Sequence, residues 1–179
     1  MKPSWLLDVD GVISPYAGGL TTRLPLTRLP LHIHKDWVSE KVVDSKGREW
    51  KVEIAAPVLD FINEVHAADL VDIIWHTTWQ HDANEISRVF GLPEFPVLDA
   101  PEFETWNRRK AQGWWKKPPA QRHLDSTTAP TLWTDDDLNM GWADKMPAPH
   151  GLKVIAPNLH DGLTLKHLKE IMTFLEASQ

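Results

Sequence analysis

The chain has 179 residues, 42% hydrophobic and 25% charged, with a formal net charge of −6 and no cysteine. That is the composition of one globular domain needing no covalent staples, and it excludes disulfides, thiolate metal sites and cysteine nucleophiles. The acidity disfavours broad, non-specific binding to nucleic acid or anionic membrane, and no stretch approaches the roughly 20 apolar residues of a membrane span.

Trp5-Leu6-Leu7-Asp8-Val9-Asp10 reads as a short buried strand ending in two acids, with Gly11 permitting a turn. Two carboxylates there are foreign to a signal-peptide core, so a cytoplasmic protein with no membrane partner is expected. From Ser14 to about Pro30 the chain is irregular, and residues 23–27 are nearly echoed in 28–32, which reads as extended loop. Trp37 to Val43 and Arg48 to Ile54 form a strand pair around the turn Asp44-Ser45-Lys46-Gly47. Pro57 opens a helix carrying Val58, Leu59, Ile62 and Val65. Asp72 to Thr77 is a second core strand, Asn84 to Phe90 a helix stopped by Gly91, and Phe95 to Leu98 a short third strand. Residues 102–124 hold one or two helices around a break at Pro118-Pro119. Thr131 to Thr134 is a fourth strand ending in Asp135-Asp136-Asp137, and Lys153 to Ile155 is a fifth. Thr164 caps a last helix with Leu165, Leu168, Ile171, Met172 and Leu175 at helical spacing.

Strands alternating with helices predict an α/β fold. Its mostly parallel, five-stranded sheet carries helices on both faces, in three Rossmann-like layers. The whole chain, 1–179, forms a single domain in this reading, with a small β-hairpin flap in an insertion spanning about 14–55. Three strands end in reactive residues: Asp8 and Asp10, Thr77 and Thr78, Asp135 and Asp136. Ligands of open α/β sheets sit beyond the carboxyl ends of strands. A polar turn would account for any one of these endings; three in chain order point to a site. Asp8 and Asp10 lie two apart on an extended backbone and so share a side. Clustered carboxylates stay ionised together only beside a cation, and an oxygen-only set suits Mg2+. A carboxylate can then attack phosphorus while a second manages the proton.

On these residues the sequence resembles the haloacid dehalogenase (HAD) superfamily. Leu6-Leu7-Asp8-Val9-Asp10-Gly11-Val12 is similar to its motif I, Ile73-Ile74-Trp75-His76-Thr77 to motif II and Trp133-Thr134-Asp135-Asp136-Asp137-Leu138 to motif IV. Lys116, in Trp114-Trp115-Lys116-Lys117, stands in the place of motif III. The runs Trp75 to Trp79, Trp-Lys and Trp-x-Asp-Asp-Asp resemble the small HAD branch of bacterial "Swiss army knife" RNA-repair proteins.

The resemblance implies a Mg2+-dependent phosphohydrolase working through an aspartyl phosphate. Asp8 would be the nucleophile and a metal ligand. Asp10 would be the general acid/base and would offer its backbone carbonyl to the metal. Thr77 would hold the transferring phosphoryl group, Thr78 being the alternative. Lys116 would neutralise phosphoryl oxygens, with Lys117 and Lys110 as rivals. Asp136 would be the third metal carboxylate, supported by Asp135.

The small flap leaves room for a phosphorylated polynucleotide end, while a nucleotide or other small phosphate ester fits as well. A HAD-type binding module without turnover is the non-enzymatic alternative. Between Thr105 and Leu124 lie Arg108, Arg109, Lys110, Lys116, Lys117 and Arg122 with no acid, and Trp106, Trp114 and Trp115 among them. Cations interleaved with indoles suit a single strand, and a solvated helix face with hydrophobic anchors gives the same pattern. His32 and His34, with His76 and His81, could form a zinc site without cysteine, although a His-x-His in a flap more often has no such role.

Overall fold

The computed structural model describes residues 1–16, 34–109 and 114–179, the side chains of 107–109 excepted. Four parallel strands form the central sheet: β1 (Ser4–Leu7), β4 (Asp72–Trp75), β5 (Thr131–Thr134) and β6 (Leu152–Ile155), in the order β4-β1-β5-β6. β1 is central, paired with β4 from Ser4↔Asp72 to Leu7↔Trp75 and with β5 from Ser4↔Thr131 to Leu7↔Thr134. A strand flanked on both edges and covered on both faces favours apolar side chains, hence the unbroken Trp5-Leu6-Leu7, while the buried Ser4 is hydrogen-bonded to His123 and Thr131.

Alternate residues of β1 serve opposite faces. Trp5 and Leu7 join Val58, Ile62, Leu168 and Ile171 in one core, while Leu6 joins Ala120, Trp133 and Leu138 in another. The first core is closed by α1 (Ala56–Ala67), α2 (Ala83–Phe90) and α5 (Leu165–Ala177), and the second by α4 (Lys117–Ser126). The sheet therefore carries helices on both faces. None of the helices among the described residues is long and apolar enough to cross a membrane.

The strand expected over Phe95–Leu98, third in chain order, is reduced to one parallel bridge, Trp75↔Val97, on the outer edge of β4. Trp75 N–H donates to the Pro96 carbonyl at 2.8 Å and Leu98 N–H to the Trp75 carbonyl at 2.9 Å. Pro96 has no N–H to extend a ladder, so pairing stops there. The sheet has four strands rather than five.

The flap is a two-stranded antiparallel sheet of β2 (Trp37–Val43) and β3 (Glu49–Ala55), and β3 runs directly into α1. Its four-residue turn is organised by Asp44. That carboxylate accepts from the backbone N–H of Lys46 and Arg48, from Arg48 Nε and from Trp50 Nε1. The irregular residues 17–33, with the five-residue echo, lie outside the described residues.

Two helices fill the segment expected to break at Pro118-Pro119: α3 (Pro101–Arg109) and α4. The prolines do not form the break. They occupy the first turn of α4, where N–H groups have no intrahelical acceptor to lose. Thr164 caps α5, its side chain bonding the N3 backbone while the His167 ring takes the Thr164 N–H at 3.1 Å.

Candidate active site

Parallel pairing brings the carboxyl ends of β1, β4 and β5 together, and the backbone continues the pairing one residue beyond. Asp8 N–H donates to the Thr134 carbonyl at 3.2 Å, and His76 N–H to the Leu7 carbonyl at 2.9 Å. Asp8, Thr77 and Asp135 thus emerge side by side, all buried.

Lys116 joins them from the turn before α4. Its Nζ donates to Asp8 Oδ2 and Asp135 Oδ2, each at 2.6 Å, and the ammonium is 2% exposed as a residue. Burial by itself would lower the Lys116 pKa, but the two carboxylates outweigh it and hold the ammonium protonated above its ordinary range. Lys117 bonds neither acid, and Lys110 lies outside the described residues.

One oxygen each from Asp8, Asp135 and Asp136 lies within 4.8 Å of the others, a group that could hold a metal ion. Three carboxylates against one ammonium leave a residual charge of two minus in a largely buried place. Carboxylate oxygens around such a deficit suit a hard divalent cation. Burial and the neighbouring carboxylates raise Asp10, Asp135 and Asp136. Burial, then Asp8 and Asp137, push the Asp136 carboxyl up to about 6. Burial, then Asp8, push Asp10 up, while hydrogen bonds from Trp79 and Thr78 partly offset the rise.

The supporting contacts are specific. Asp8 Oδ1 accepts from Val9 N–H at 2.7 Å, and Asp135 Oδ1 from Asp137 N–H at 3.0 Å. Both oxygens of Asp135 are therefore occupied within the protein, so Asp136 is freer than Asp135 to meet a ligand. Gly11, at φ +72°, lets the loop after β1 pass directly under Asp136. A Cβ there would lie 2.6 Å from the Asp136 Cγ. Asp10 stands at the outer margin, its Oδ2 accepting from Thr78 Oγ1 at 3.2 Å. Thr77 Oγ1 accepts from Trp79 N–H at 3.3 Å.

The structure does not gather the basic, indole-bearing segment into one free strip. Lys116 is consumed in the acid centre, and Arg122 is forked onto the Glu102 carboxylate. Trp115 is buried, and Trp114 is stacked at 12° on Trp133 and 23° on Trp142. The side chains of Arg108 and Arg109 lie outside the described residues. His32 lies outside the described residues, and the described histidines form no metal-competent group. His34 Nε2 bonds the Leu163 carbonyl, and His76 Nε2 the Lys116 carbonyl.

Sequence reasoning missed two features. His76 is wholly buried and anchors the backbone of Lys116 at 2.9 Å. A cavity opens between the flap, Tyr16 and Trp79, with Asp10 and Thr78 at its inner margin. Only the Asp-Ser-Lys-Gly turn signalled where the flap would fold, and nothing in the spacing said what it would face.

No known protein family, curated protein or solved structure matches this chain.

Proposed function

We propose that the protein is a Mg2+-dependent phosphohydrolase of the HAD type, acting through an aspartyl phosphate on Asp8. The observation that carries the reading is the buried Lys116 ammonium shared by Asp8 and Asp135 at 2.6 Å, with Asp136 completing a carboxylate group within 4.8 Å. Asp8, Asp136 and the Asp10 backbone carbonyl would hold the metal, with Asp135 in support. Bound there, Mg2+ would supply positive charge to the phosphoryl oxygens.

The chain's own groups account for the rest. An Asp8 carboxylate oxygen attacks phosphorus as the bond to the leaving oxygen breaks, and Asp10 gives that oxygen its proton. The raised pKa of Asp10 suits a group that must start protonated. Asp10, now a carboxylate, takes a proton from water. The water oxygen attacks phosphorus, the bond to Asp8 breaks, and inorganic phosphate is released. Thr77 and Lys116 hold the phosphoryl oxygens through both steps, a positioning and electrostatic role.

The test is phosphate release with Mg2+ and with chelator, over an aryl phosphate, mononucleotides and 5′- and 3′-phosphorylated oligomers. Metal-dependent release lost in Asp8→Asn, and a trapped phosphoenzyme in Asp10→Asn, are expected. Undiminished turnover by purified Asp8→Asn protein would exclude the mechanism.

A further inference from the structure

A cavity of about 750 Å3 adjoins the acid centre. Asp10 lines it, whereas Asp8, Asp135 and Asp136 do not. The cavity therefore begins at the group that protonates the leaving oxygen and extends away from the nucleophile. Its volume is that of an organic ligand site, far beyond a phosphate ion. On the phosphohydrolase reading, an occupant that reaches Asp10 from this cavity stands where the leaving group would be.

Its walls are preformed. Asp82, after β4, accepts from both the N–H and the Oγ of Ser45 at 3.0 Å, which latches the flap turn to the core. Trp50 on the flap meets Trp79 on the core edge to face, with centroids 5.8 Å apart. Trp79 in turn hydrogen-bonds Asp10. Trp50 is 42% exposed and Tyr16 53%, large apolar faces left open in a cavity. The cations there are not spent. Among the described residues Lys46 has no ion-pair partner, and Arg48 gives Asp44 only its Nε while its guanidinium lies over Trp50 at 5.2 Å. Asp44 and Asp82 are occupied by the turn itself, and Glu104 lies on the α3 rim.

Aromatic faces beside available cations select a leaving group with a flat ring and further negative charge. We infer that the leaving group is a nucleoside carrying a second phosphate, its base against Trp50, Trp79 and Tyr16 and that phosphate at Lys46 and Arg48. This rests on the phosphohydrolase reading for its chemistry. It moves substrate recognition from residues 105–124 to the flap.

Two readouts keep the two ideas separable. The first is kcat/KM with Mg2+ for ribose 5-phosphate, a 5′-mononucleotide, a nucleoside 3′,5′-bisphosphate and a 5′-phosphorylated oligonucleotide. The second is equilibrium binding of the bisphosphate to Asp8→Asn protein by indole fluorescence, which needs no turnover. Stacking of one base predicts about a tenfold preference for nucleotide over ribose 5-phosphate, falling towards one in Trp50→Ala and returning in Trp50→Phe. Lys46→Glu should lower kcat/KM for the bisphosphate, relative to the mononucleotide, by about fivefold or more. Binding by Asp8→Asn protein should weaken in parallel when Trp50→Ala is added. Bisphosphate and oligonucleotide rates then tell a free nucleotide from a strand end. Equal wild-type rates on ribose 5-phosphate and nucleotides, or a preference untouched by Trp50→Ala, would overturn the inference while leaving the phosphohydrolase intact. Binding without turnover on any ester would overturn the phosphohydrolase, and with it the leaving-group role, leaving only a nucleotide-binding cavity. No binding and no turnover would sink both.

Discussion

Replacing Lys116 with Met keeps the length and bulk of the side chain and removes its charge. In the native protein the ammonium lies 2.6 Å from Asp8 and from Asp135, and the three side chains are 3%, 5% and 0% exposed. Without it, two buried carboxylates face each other and Asp136 with no counter-charge. Removing one partner from a buried ion pair costs about 3–5 kcal/mol, because the remaining charge is stranded in low dielectric. A domain's whole stability is about 5–15 kcal/mol. At about 2–4 °C per kcal/mol for a chain of this size, Tm in chelator should fall by about 6–20 °C. Thermal unfolding at pH 7.5, followed by indole fluorescence, measures it. Two additions should recover part of the loss: millimolar Mg2+, which returns positive charge, and Asp135→Asn in the same chain, which removes one stranded carboxylate. A Lys116→Met protein melting within about 3 °C of wild type in chelator would refute the argument that this ammonium balances buried charge.

Other outcomes follow from the same geometry. Gly11→Ala should weaken Mg2+ binding by about tenfold or more, since its Cβ would displace the Asp136 carboxylate, and a φ of +72° adds a backbone cost of about 1 kcal/mol; calorimetric titration checks it. Protons and metal compete for Asp136, so Mg2+ affinity should be flat above pH 6 and fall by about tenfold per pH unit below it. Affinity that holds from pH 6 down to pH 4.5 would show that Asp136 is not a ligand. Burial, then Lys116, press the His76 pKa down to about 3, so the native state refuses a proton that the unfolded chain accepts below about pH 6.5. That contribution to stability is lost as pH falls, whereas the raised Asp136 acts in the opposite sense between about 6 and 3.8. Urea denaturation of wild type and His76→Gln isolates the histidine: wild type should lose about 1.4 kcal/mol more per pH unit between pH 6 and 4.

What could be read from the sequence was whatever strand pairing dictates. Trp5-Leu6-Leu7 announces a central strand because both faces of such a strand favour apolar side chains, and acids directly after it must reach the sheet's carboxyl edge. The same logic placed Thr77 and Asp135 beside Asp8. Lys116 could only be narrowed to a stretch, since a turn delivers it and turns keep no period. Pro96 lacks the N–H that a ladder needs, so the strand expected over Phe95–Leu98 shrinks to a single bridge. The cavity was not legible at all. Tyr16, Trp50 and Trp79 come from three separate segments, and long-range contacts such as the Ser45–Asp82 latch, 37 residues apart, and the burial of Val42, Val52 and Ile54 bring the flap against the core.

The central position of β1 sets a schedule for folding. Its partners lie far downstream: Ser4 pairs with Asp72 on one edge and with Thr131 on the other. During synthesis at about 5–20 residues per second, the second edge waits on the order of ten seconds for its strand. Through that interval Trp5-Leu6-Leu7 has no completed sheet to enter, and the Lys116 that balances Asp8 is made 108 residues later. Until then the early chain presents an apolar strand with both edges unpaired, the condition under which strands pair with other copies.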